Sequence, residues 1–404
     1  MRYVKTNQSI NKQIGSFVSN SPTRIYGWKK DMIDIIIRLH IFWIALTIYR
    51  NPFTAGKVLK RLMEKRRLVK GNIPVQKYVK ANNRYFWSAA VPGWPSLPFI
   101  SFIKNELNRL HPYRLDNGHL LTMIFSITNK CHLQCEHCFE WDNLDIKEKL
   151  SFDDLKEILK KFQARGIDQI QLSGGEPLRR LNDAVELIKT AGPNTEFWLL
   201  TSGYGLTPER ASRLKAAGLT GVNISLDHWD EKPHNEFRNN DKSFYWAKEA
   251  ALNSRKVDMA VCFSLCPVKD FISVENLWKY ADLTKRLGAG FIRILEPKNA
   301  GRFNGKDVEL NEVHKKTLRE FDLTMNSDPL YRDMPIVMFP GVHQDTIGCF
   351  GAGNRYLYVD SNGDLHACPF CQNKVGNVLK DSLEESIQKM REIGCHNFKS
   401  NLSE

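Results

Sequence analysis

The chain has 404 residues, of which 42% are hydrophobic and 25% are charged, so it can bury a full core and form two or three structural units. This composition excludes a disordered tail and a mini-protein. The nine cysteines are an odd number, and the sequence opens on no secretory signal, so we expect a cytoplasmic protein with metal or redox chemistry instead of a disulfide framework.

The net charge of +13 comes from the N-terminal fifth of the chain. Residues 1–80 contain 17 Lys/Arg and three Asp/Glu, while the rest contains 41 and 42. The basic residues flank an apolar stretch at 32–49, which includes Asp34, Arg38 and His40 and therefore suits an interfacial or buried helix better than a membrane span. Two interpretations remain open: a helix that caps the rest of the protein, and a peripheral contact with a membrane. Nucleic-acid binding fits the apolar content less well.

After an aromatic connector at 84–99, which indicates packing and not catalysis, strand-like and helix-like patterns alternate. Strands are predicted at 121–127, 168–173, 196–202, 221–227, 259–265 and 291–296. Helices are predicted at 151–166, 181–191, 207–217, 243–255 and 274–287, the first with a capping box formed by Ser151 and Asp154. Such units form a parallel sheet with right-handed crossovers. We therefore predict an α/β fold, a partial (β/α)6 TIM-type barrel, with its site at the carboxyl ends of the strands.

Three cysteines lie in the loop after the first predicted strand. Cys131, Cys135 and Cys138 have the spacing Cys-x3-Cys-x2-Cys. A zinc site usually takes four ligands in two pairs, whereas three thiolates on a four-iron cube leave one iron without a protein ligand. The spacing predicts a [4Fe-4S] cluster with an open iron, with structural zinc as the alternative.

This loop, "CHLQCEHC", and the partial barrel around it resemble the radical S-adenosylmethionine (SAM) enzymes over about residues 121–300. The resemblance extends to "SGGEP" (173–177), "TSG" (201–203), "SLD" (225–227) and "HNEFR" (234–238). It implies that SAM chelates the open iron and that an electron from the cluster cleaves SAM to a 5′-deoxyadenosyl radical, which abstracts hydrogen from a substrate. An external donor such as a flavodoxin or ferredoxin is then expected to supply the electron.

The resemblance also assigns residues to SAM. Glycines allow close backbone approach, and a carboxylate accepts from an ammonium group, here that of SAM. By the same resemblance, a serine and an aspartate hold the ribose, an arginine pairs with the SAM carboxylate, and an aromatic ring packs near adenine. The assigned residues are Gly174, Gly175, Glu176, Pro177, Ser202, Ser225, Asp227, Arg238 and Phe139. Taken without its context, a Gly-Gly pair after a strand is usually only a turn.

A second cysteine group follows the barrel. Its members are Cys349, Cys368, Cys371 and Cys395. An Asn362-Gly363 pair predicts a hairpin between the first two, and a helix is predicted over 375–390. The arrangement resembles the SPASM and twitch domains of radical SAM maturases, and four cysteines suit one auxiliary iron–sulfur cluster, of [4Fe-4S] type. A zinc knuckle is the alternative.

These patterns predict three domains. They are a helical, basic N-terminal extension (1–115), the radical SAM barrel (116–305), and a linker helix with a small α+β auxiliary-cluster domain (306–404). Relatives with auxiliary clusters often modify peptides or proteins, which favours a maturase-like enzyme. The N-terminus shows no clear strand-rich, winged-helix-like region for a leader peptide, which favours the alternative of a membrane-proximal enzyme acting on a lipid, glycan or small molecule. A third hypothesis is an iron–sulfur sensor or electron carrier, which would need no SAM pocket.

Overall fold

The structure is a computed structural model that describes residues 23–70, 76–115, 118–341, 344 and 348–395. The ends of the first and third predicted domains, 1–22 and 396–404, lie outside these residues.

The N-terminal extension mixes helices with a small sheet. Its elements are β1 (Thr23–Tyr26), α1 (Trp28–Tyr49), α2 (Pro52–Lys70), β2 (Lys77–Ala81), β3 (Arg84–Phe86) and α3 (Leu97–Leu110). The three strands form an antiparallel sheet in the order β1-β2-β3. The extension is helical as predicted, but its three strands were not predicted, because strands of three to five residues are too short to show a clear alternation.

The barrel contains all six predicted strands, in parallel and in chain order. Its elements are β4 (Thr122–Ser126), α4 (Phe152–Arg165), β5 (Gln169–Ser173), α5 (Leu181–Thr190), β6 (Glu196–Thr201), α6 (Pro208–Ala217), β7 (Gly221–Ser225), α7 (Glu231–Arg238), α8 (Ser243–Lys256), β8 (Ala260–Leu265), α9 (Val274–Arg286) and β9 (Phe291–Ile294). The capping box at the start of α4 is confirmed, since Ser151 and Asp154 bond to each other's backbone N–H. The predicted α/β fold is therefore confirmed.

The sheet continues beyond the six predicted strands into the C-terminal region. The further elements are α10 (Glu312–Ser327), β10 (Ile336–Met338), β11 (Tyr356–Val359), β12 (Asp364–Cys368), β13 (Cys371–Asn377) and α11 (Leu383–Ile393). Strand β10 pairs with β9, and β11 pairs with β4, both in parallel. The second and third predicted domains thus share one ten-stranded sheet, which ends in the antiparallel strands β12 and β13.

The predicted hairpin forms between β11 and β12, and Gly363 takes a positive φ of 78° in its turn. The predicted helix at 375–390 begins later than expected. Residues up to Asn377 pair with β12 instead, and α11 starts only after the N-cap Ser382.

The N-terminal hairpin β2–β3 closes the amino end of the barrel. Its Val79 and Phe86 pack against Trp198, Cys262 and Phe291 from three barrel strands. The ring of Phe86 meets those of Trp198 and Phe291 edge to face, at 6.4 and 6.3 Å. The predicted packing role of the connector is confirmed here, and the open end of the barrel is the one that carries the cysteine loop.

Candidate active site

The three-cysteine loop follows β4 and is fixed by backbone hydrogen bonds. The Glu136 N–H donates to the carbonyl of Phe237 at 3.0 Å, and the Cys138 N–H donates to that of Cys135 at 3.3 Å. Cys135 is buried, while Cys131 and Cys138 are half-buried. The loop therefore holds three thiols at the carboxyl end of the barrel, where sites of such sheets lie.

The surroundings of these thiols disfavour free thiolates but suit thiolates bound to a metal cluster. Burial raises the pKa of Cys131 and of Cys138 to about 12, so both thiols are protonated until a metal displaces the proton. The guanidinium of Arg238 donates from Nη1 to the Cys135 Sγ at 3.4 Å. Both amide atoms of Asn129, two residues before the first cysteine, are buried without a partner in the described part of the chain. A cluster bearing sulfide acceptors fits this set of donors.

No three His, Cys, Asp or Glu side chains of the described residues converge around a point that would hold a single metal ion. In a four-iron cube each thiolate binds its own iron, so its cysteines lie farther apart than ligands of one ion.

The two glycines of "SGGEP" bring their loop against the cysteine loop. A Cβ added to Gly174 would lie 2.5 Å from the carbonyl oxygen of Thr128, and one added to Gly175 would lie 2.5 Å from that of Lys130. The expected close backbone approach is present, but here it is an approach to the cysteine loop.

Glu176 is buried and fully engaged by its own chain. Its carboxylate accepts from the Thr201 hydroxyl at 2.7 Å, from the Ser202 N–H at 2.8 Å and from the Leu178 N–H at 3.2 Å. The Ser202 hydroxyl adds a fourth bond at 2.5 Å. Burial raises the Glu176 pKa, and these donors partly offset the rise. An ammonium group bound by this carboxylate would have to replace or share one of the four bonds.

Asp227 and Arg238 form a buried ion pair instead of standing apart. The Arg238 Nε and Nη2 both lie 2.6 Å from Asp227 Oδ2, and the Cys266 N–H donates to the other oxygen at 3.2 Å. Burial alone would raise the Asp227 pKa, but the adjacent guanidinium holds it below its usual value. The ion pair therefore places the Arg238 guanidinium beside Cys135, with its charge balanced by the Asp227 carboxylate.

A cavity of about 1590 Å³ opens beside the cysteine loop. It is lined by all three cysteines and by seven of the nine residues that the resemblance assigns to SAM, while Glu176 and Pro177 lie behind the wall. The seven are Gly174, Gly175, Ser202, Ser225, Asp227, Arg238 and Phe139. The same cavity extends to Cys349 and Phe370 in the C-terminal region and to Lys65 on α2.

Phe139 lies between the two cysteine groups. Its ring meets those of Tyr358 and Phe370 edge to face, at 5.8 and 6.0 Å. The Gln372 side chain donates to the Phe139 carbonyl at 2.5 Å. The ring thus faces the C-terminal region.

The four C-terminal cysteines come together. Cys368 and Cys371 face each other across the β12–β13 hairpin, and the thiol of Cys371 also contacts that of Cys395. Cys349 interacts with Cys395 and Cys371. Its pKa is raised to about 12, mainly by burial and to a smaller extent by these two neighbours. Cysteines from three separate segments therefore form one group.

Sequence reasoning missed the segment after β9 that supports the cysteine loop. The Arg302 N–H donates to the Cys138 carbonyl at 3.0 Å, and a Cβ on Gly301 would lie 2.3 Å from the same oxygen. Glu140, just after the loop, hydrogen-bonds to the Tyr358 hydroxyl of β11. Gly301 is visible in the sequence as a residue that permits close backbone contact, but the sequence does not show that this contact is with the cysteine loop.

Comparisons with known proteins agree with this geometry. The Radical SAM superfamily model matches residues 125–284. The GTP 3′,8-cyclase of Alkaliphilus oremlandii is 34% identical over 292 residues, which cover 67% of this chain and 87% of that protein. The mycofactocin maturase MftC of Mycolicibacterium smegmatis is 26% identical over 286 residues, which cover 68% and 71%.

The fold is also similar to that of Streptococcus suis SuiB bound to the precursor peptide SuiA. The TM-score is 0.54 at 15% identity, with 85% of this chain and 80% of that chain covered. The family model matches, a relative is 34% identical over 87% of its own length, and the fold is shared. The chain therefore belongs to the radical SAM superfamily and is an enzyme that uses SAM and a [4Fe-4S] cluster.

Proposed function

We propose that Cys131, Cys135 and Cys138 hold the catalytic [4Fe-4S] cluster and that the enzyme modifies a peptide or protein substrate. The observation that carries this proposal is the cavity that runs from these three thiols to Cys349, one of the four C-terminal cysteines. When bound, the cluster supplies the electron that cleaves SAM and leaves a 5′-deoxyadenosyl radical to abstract hydrogen.

The residues around the cavity have distinct tasks in this proposal. Ser202 and Ser225 line its wall, where their hydroxyls are within reach of a nucleoside. Arg238 binds the SAM carboxylate, while Asp227 holds the guanidinium in place for that contact. Gly174 and Gly175 keep the cavity wall close to the cysteine loop, and Glu176 orients Ser202 from behind by accepting a hydrogen bond from its hydroxyl.

We place one auxiliary iron–sulfur cluster, of [4Fe-4S] type, on Cys349, Cys368, Cys371 and Cys395. Two of these thiols lie on one hairpin, and the other two reach it from the segments before β11 and after α11. Four thiols from separate segments can close a cluster completely, as a site for electron transfer or substrate anchoring requires. Phe139 lies between this site and the catalytic one.

The peptide substrate is supported by the size of the cavity and by two similar proteins. MftC is named a maturase, and SuiB is bound to a precursor peptide. The β1–β3 sheet also removes the objection that the N-terminal extension lacks strands. A cytoplasmic flavodoxin or ferredoxin serves as the electron donor in this proposal.

Anaerobic reconstitution with iron, sulfide, SAM and dithionite tests the proposal. We expect release of 5′-deoxyadenosine, with about eight iron atoms per chain for two four-iron clusters. A cluster-replete protein that releases none would favour a sensor or electron carrier and would contradict the proposal.

A second proposal, peripheral membrane contact, is supported by the outer face of α1. Six large apolar side chains on this helix are between 46% and 67% exposed, and their spacing follows one helical face. This outer stripe consists of Trp28, Met32, Ile35, Ile36, Leu39 and Trp43. In the described residues, α1 is also the one helix whose length and composition would suit a membrane span.

The inner face of α1 binds it to its own domain. Ile37 and Ile44 are buried among residues of α2 and α3. Asp34 pairs with Lys30 at 2.7 Å, and the Trp94 indole donates to His40 at 2.8 Å. A helix held along one side in this way lies in the membrane interface, with its outer stripe among the lipids.

Helix α2 supplies the charge for an anionic bilayer. Its exposed basic residues that do not line the cavity are Lys57, Lys60, Arg61 and Arg67. Each cation near an anionic surface contributes about 1 kcal/mol, so several suffice for reversible binding. This contact also keeps open a lipid, glycan or other membrane-proximal substrate.

Co-sedimentation with vesicles of phosphatidylcholine, with and without 30% phosphatidylglycerol, decides whether the contact occurs. We expect binding to the anionic vesicles at low salt, loss of binding at about 0.5 M salt, and no binding of the variant Ile35→Glu/Leu39→Glu. Leu330→Glu is the matched control, because Leu330 is 80% exposed outside the N-terminal extension. Absence of sedimentation at low salt would leave α1 as a cap of the barrel.

A further inference from the structure

The interior of the barrel is built in layers. At its amino end, Trp198, Cys262 and Phe291 pack against Phe86 of the β2–β3 hairpin, as in a filled barrel. This apolar layer closes the amino end of the barrel.

The next layer toward the carboxyl ends is polar. Side chains two residues apart on a strand point to the same side of the sheet. Each residue of the polar layer therefore lies two positions before a residue at the carboxyl end of its strand, which faces the cysteine loop. The polar layer consists of Gln171 on β5, Asn223 on β7, Ser264 on β8 and Arg293 on β9, and all four line the cavity.

Two hydrogen bonds link the polar layer in pairs. Arg293 donates from Nη1 to Gln171 Oε1 at 3.1 Å, and the Ser264 hydroxyl donates to Asn223 Oδ1 at 2.8 Å. Ser264 and Arg293 are neighbours in the register of β8 and β9. The bonds fix the orientation of the Arg293 guanidinium and of the Asn223 amide.

One donor in this layer is unused. Asn223 is 3% exposed, and its Nδ2 has no hydrogen-bond partner in the described part of the chain. A buried amide without a partner costs about 1–3 kcal/mol, so such groups in native proteins call for an explanation. An acceptor on a bound ligand explains it.

The charge of the cavity indicates what kind of acceptor binds. Its lining includes nine Lys/Arg and four Asp/Glu residues, and two of the four acids are paired with lining arginines, Asp227 with Arg238 and Glu106 with Arg355. An excess of one sign in a cleft with low-dielectric walls attracts ligands of the opposite sign. The cavity is therefore suited to an anionic substrate.

We propose that the polar layer binds a carboxylate of the substrate, with Arg293 as its charged partner and the Asn223 Nδ2 as a second donor. The inference deepens the proposed function, on which it rests for the identity of the ligand as the substrate. An arginine guanidinium binds a carboxylate through two parallel hydrogen bonds, so this residue sets specificity as well as affinity. The carboxylate belongs either to an acidic side chain or to a peptide C-terminus.

Fluorescence anisotropy of the reconstituted protein with SAM tests this binding. The probes are fluorescein-labelled octapeptides that alternate Gly with Glu or Gly with Gln, each with a free or an amidated C-terminus. We expect the Glu peptide to bind more tightly than the Gln peptide, and Arg293→Met to raise its Kd about tenfold. Binding that survives amidation assigns the side-chain carboxylate, and binding that requires the free acid assigns the C-terminus.

Arg286→Met is the matched control, because Arg286 has the same charge but lies on the outer helix α9, paired with Asp282 at 3.0 Å. It should leave the Kd unchanged. Arg293→Lys, which keeps the charge without the planar fork, should fall between wild type and Arg293→Met. Equal Kd values for wild type and Arg293→Met would overturn the inference.

A parallel assay of SAM cleavage separates this inference from the proposed function. A protein that binds the acidic peptide through Arg293 but releases no 5′-deoxyadenosine would contradict the proposed function alone. A protein that cleaves SAM but prefers neither the Glu peptide to the Gln peptide nor the free C-terminus to the amidated one would contradict the carboxylate site alone.

Discussion

The two cysteine groups are assembled in different ways. Cys131, Cys135 and Cys138 lie within eight residues on one loop, so local sequence already brings them close. The four C-terminal cysteines extend over 47 residues and meet only after the β12–β13 hairpin and α11 have formed. The first site therefore depends on its loop and on the glycines beside it, while the second depends on tertiary structure.

The largest expected effect is the loss of SAM cleavage from the loop site. Replacing Cys131, Cys135 or Cys138 singly with Ala removes a thiolate that the cluster needs, so release of 5′-deoxyadenosine should fall below detection. Cys262→Ala is the control, since that thiol is buried in the barrel floor, away from both groups. Wild-type cleavage by any one of the loop variants would refute its assignment as a ligand.

A smaller loss of SAM cleavage is expected from a substitution at Gly175, which packs against the cysteine loop. In Gly175→Ala the new Cβ would lie 2.5 Å from the Lys130 carbonyl oxygen, so the cysteine loop must move. Misplacement of reacting groups by about 1 Å can cost about 100-fold in rate, and we expect SAM cleavage to fall by about 10- to 100-fold. The C-terminal iron should be retained.

Gly56→Ala is the matched glycine control. No atom lies within 4 Å of its added Cβ, and an alanine in the middle of α2 should stabilise that helix by about 0.5–1 kcal/mol. Equal cleavage rates for Gly175→Ala and Gly56→Ala would show that the close approach of the two loops is dispensable.

The C-terminal group predicts a twofold change. With Cys349, Cys368 and Cys371 all replaced by Ala, the iron content should fall to about half, because each four-iron cluster has its own ligands. SAM cleavage should persist, since the catalytic loop keeps its thiols. Elemental analysis checks the count: unchanged iron would remove the auxiliary site, and zinc in the wild-type protein would indicate a zinc knuckle.

The difference between the two groups also marks what sequence can predict. The six barrel strands and the capping box of α4 were predicted correctly, because periodicity and capping are local signals. The start of α11 was predicted too early, because residues up to Asn377 form a strand that pairs with β12. Strand β10 and the pairing of β11 with β4 were missed for a related reason: three or four residues find their place in a sheet only beside a neighbour.

In the site, too, the sequence predicts which residue types are present but not which residues contact each other. Sequence motifs named Asp227, Arg238 and Glu176, but the spacing of the motifs carries no distance between them. The structure joins Asp227 to Arg238, and it surrounds Glu176 with donors from the next strand. The polar layer was invisible for another reason: its members alternate with buried apolar residues in strands whose two sides are both covered.

The smallest expected effect concerns the contact that joins the two sites. The Phe139 ring lies 6.0 Å from that of Phe370, one of the two residues between Cys368 and Cys371, in an edge-to-face arrangement. Such aromatic pairs contribute about 0.5–1.5 kcal/mol beyond the area that they bury. In a double-mutant cycle of Phe139→Leu and Phe370→Leu, we expect a coupling of about 1 kcal/mol, seen as melting temperatures that do not add. Phe321 on α10 packs against Trp278 and serves as the control partner, so Phe139→Leu and Phe321→Leu should add within error. Additive effects for Phe139 and Phe370 as well would mean that the two sites are coupled through the shared cavity alone.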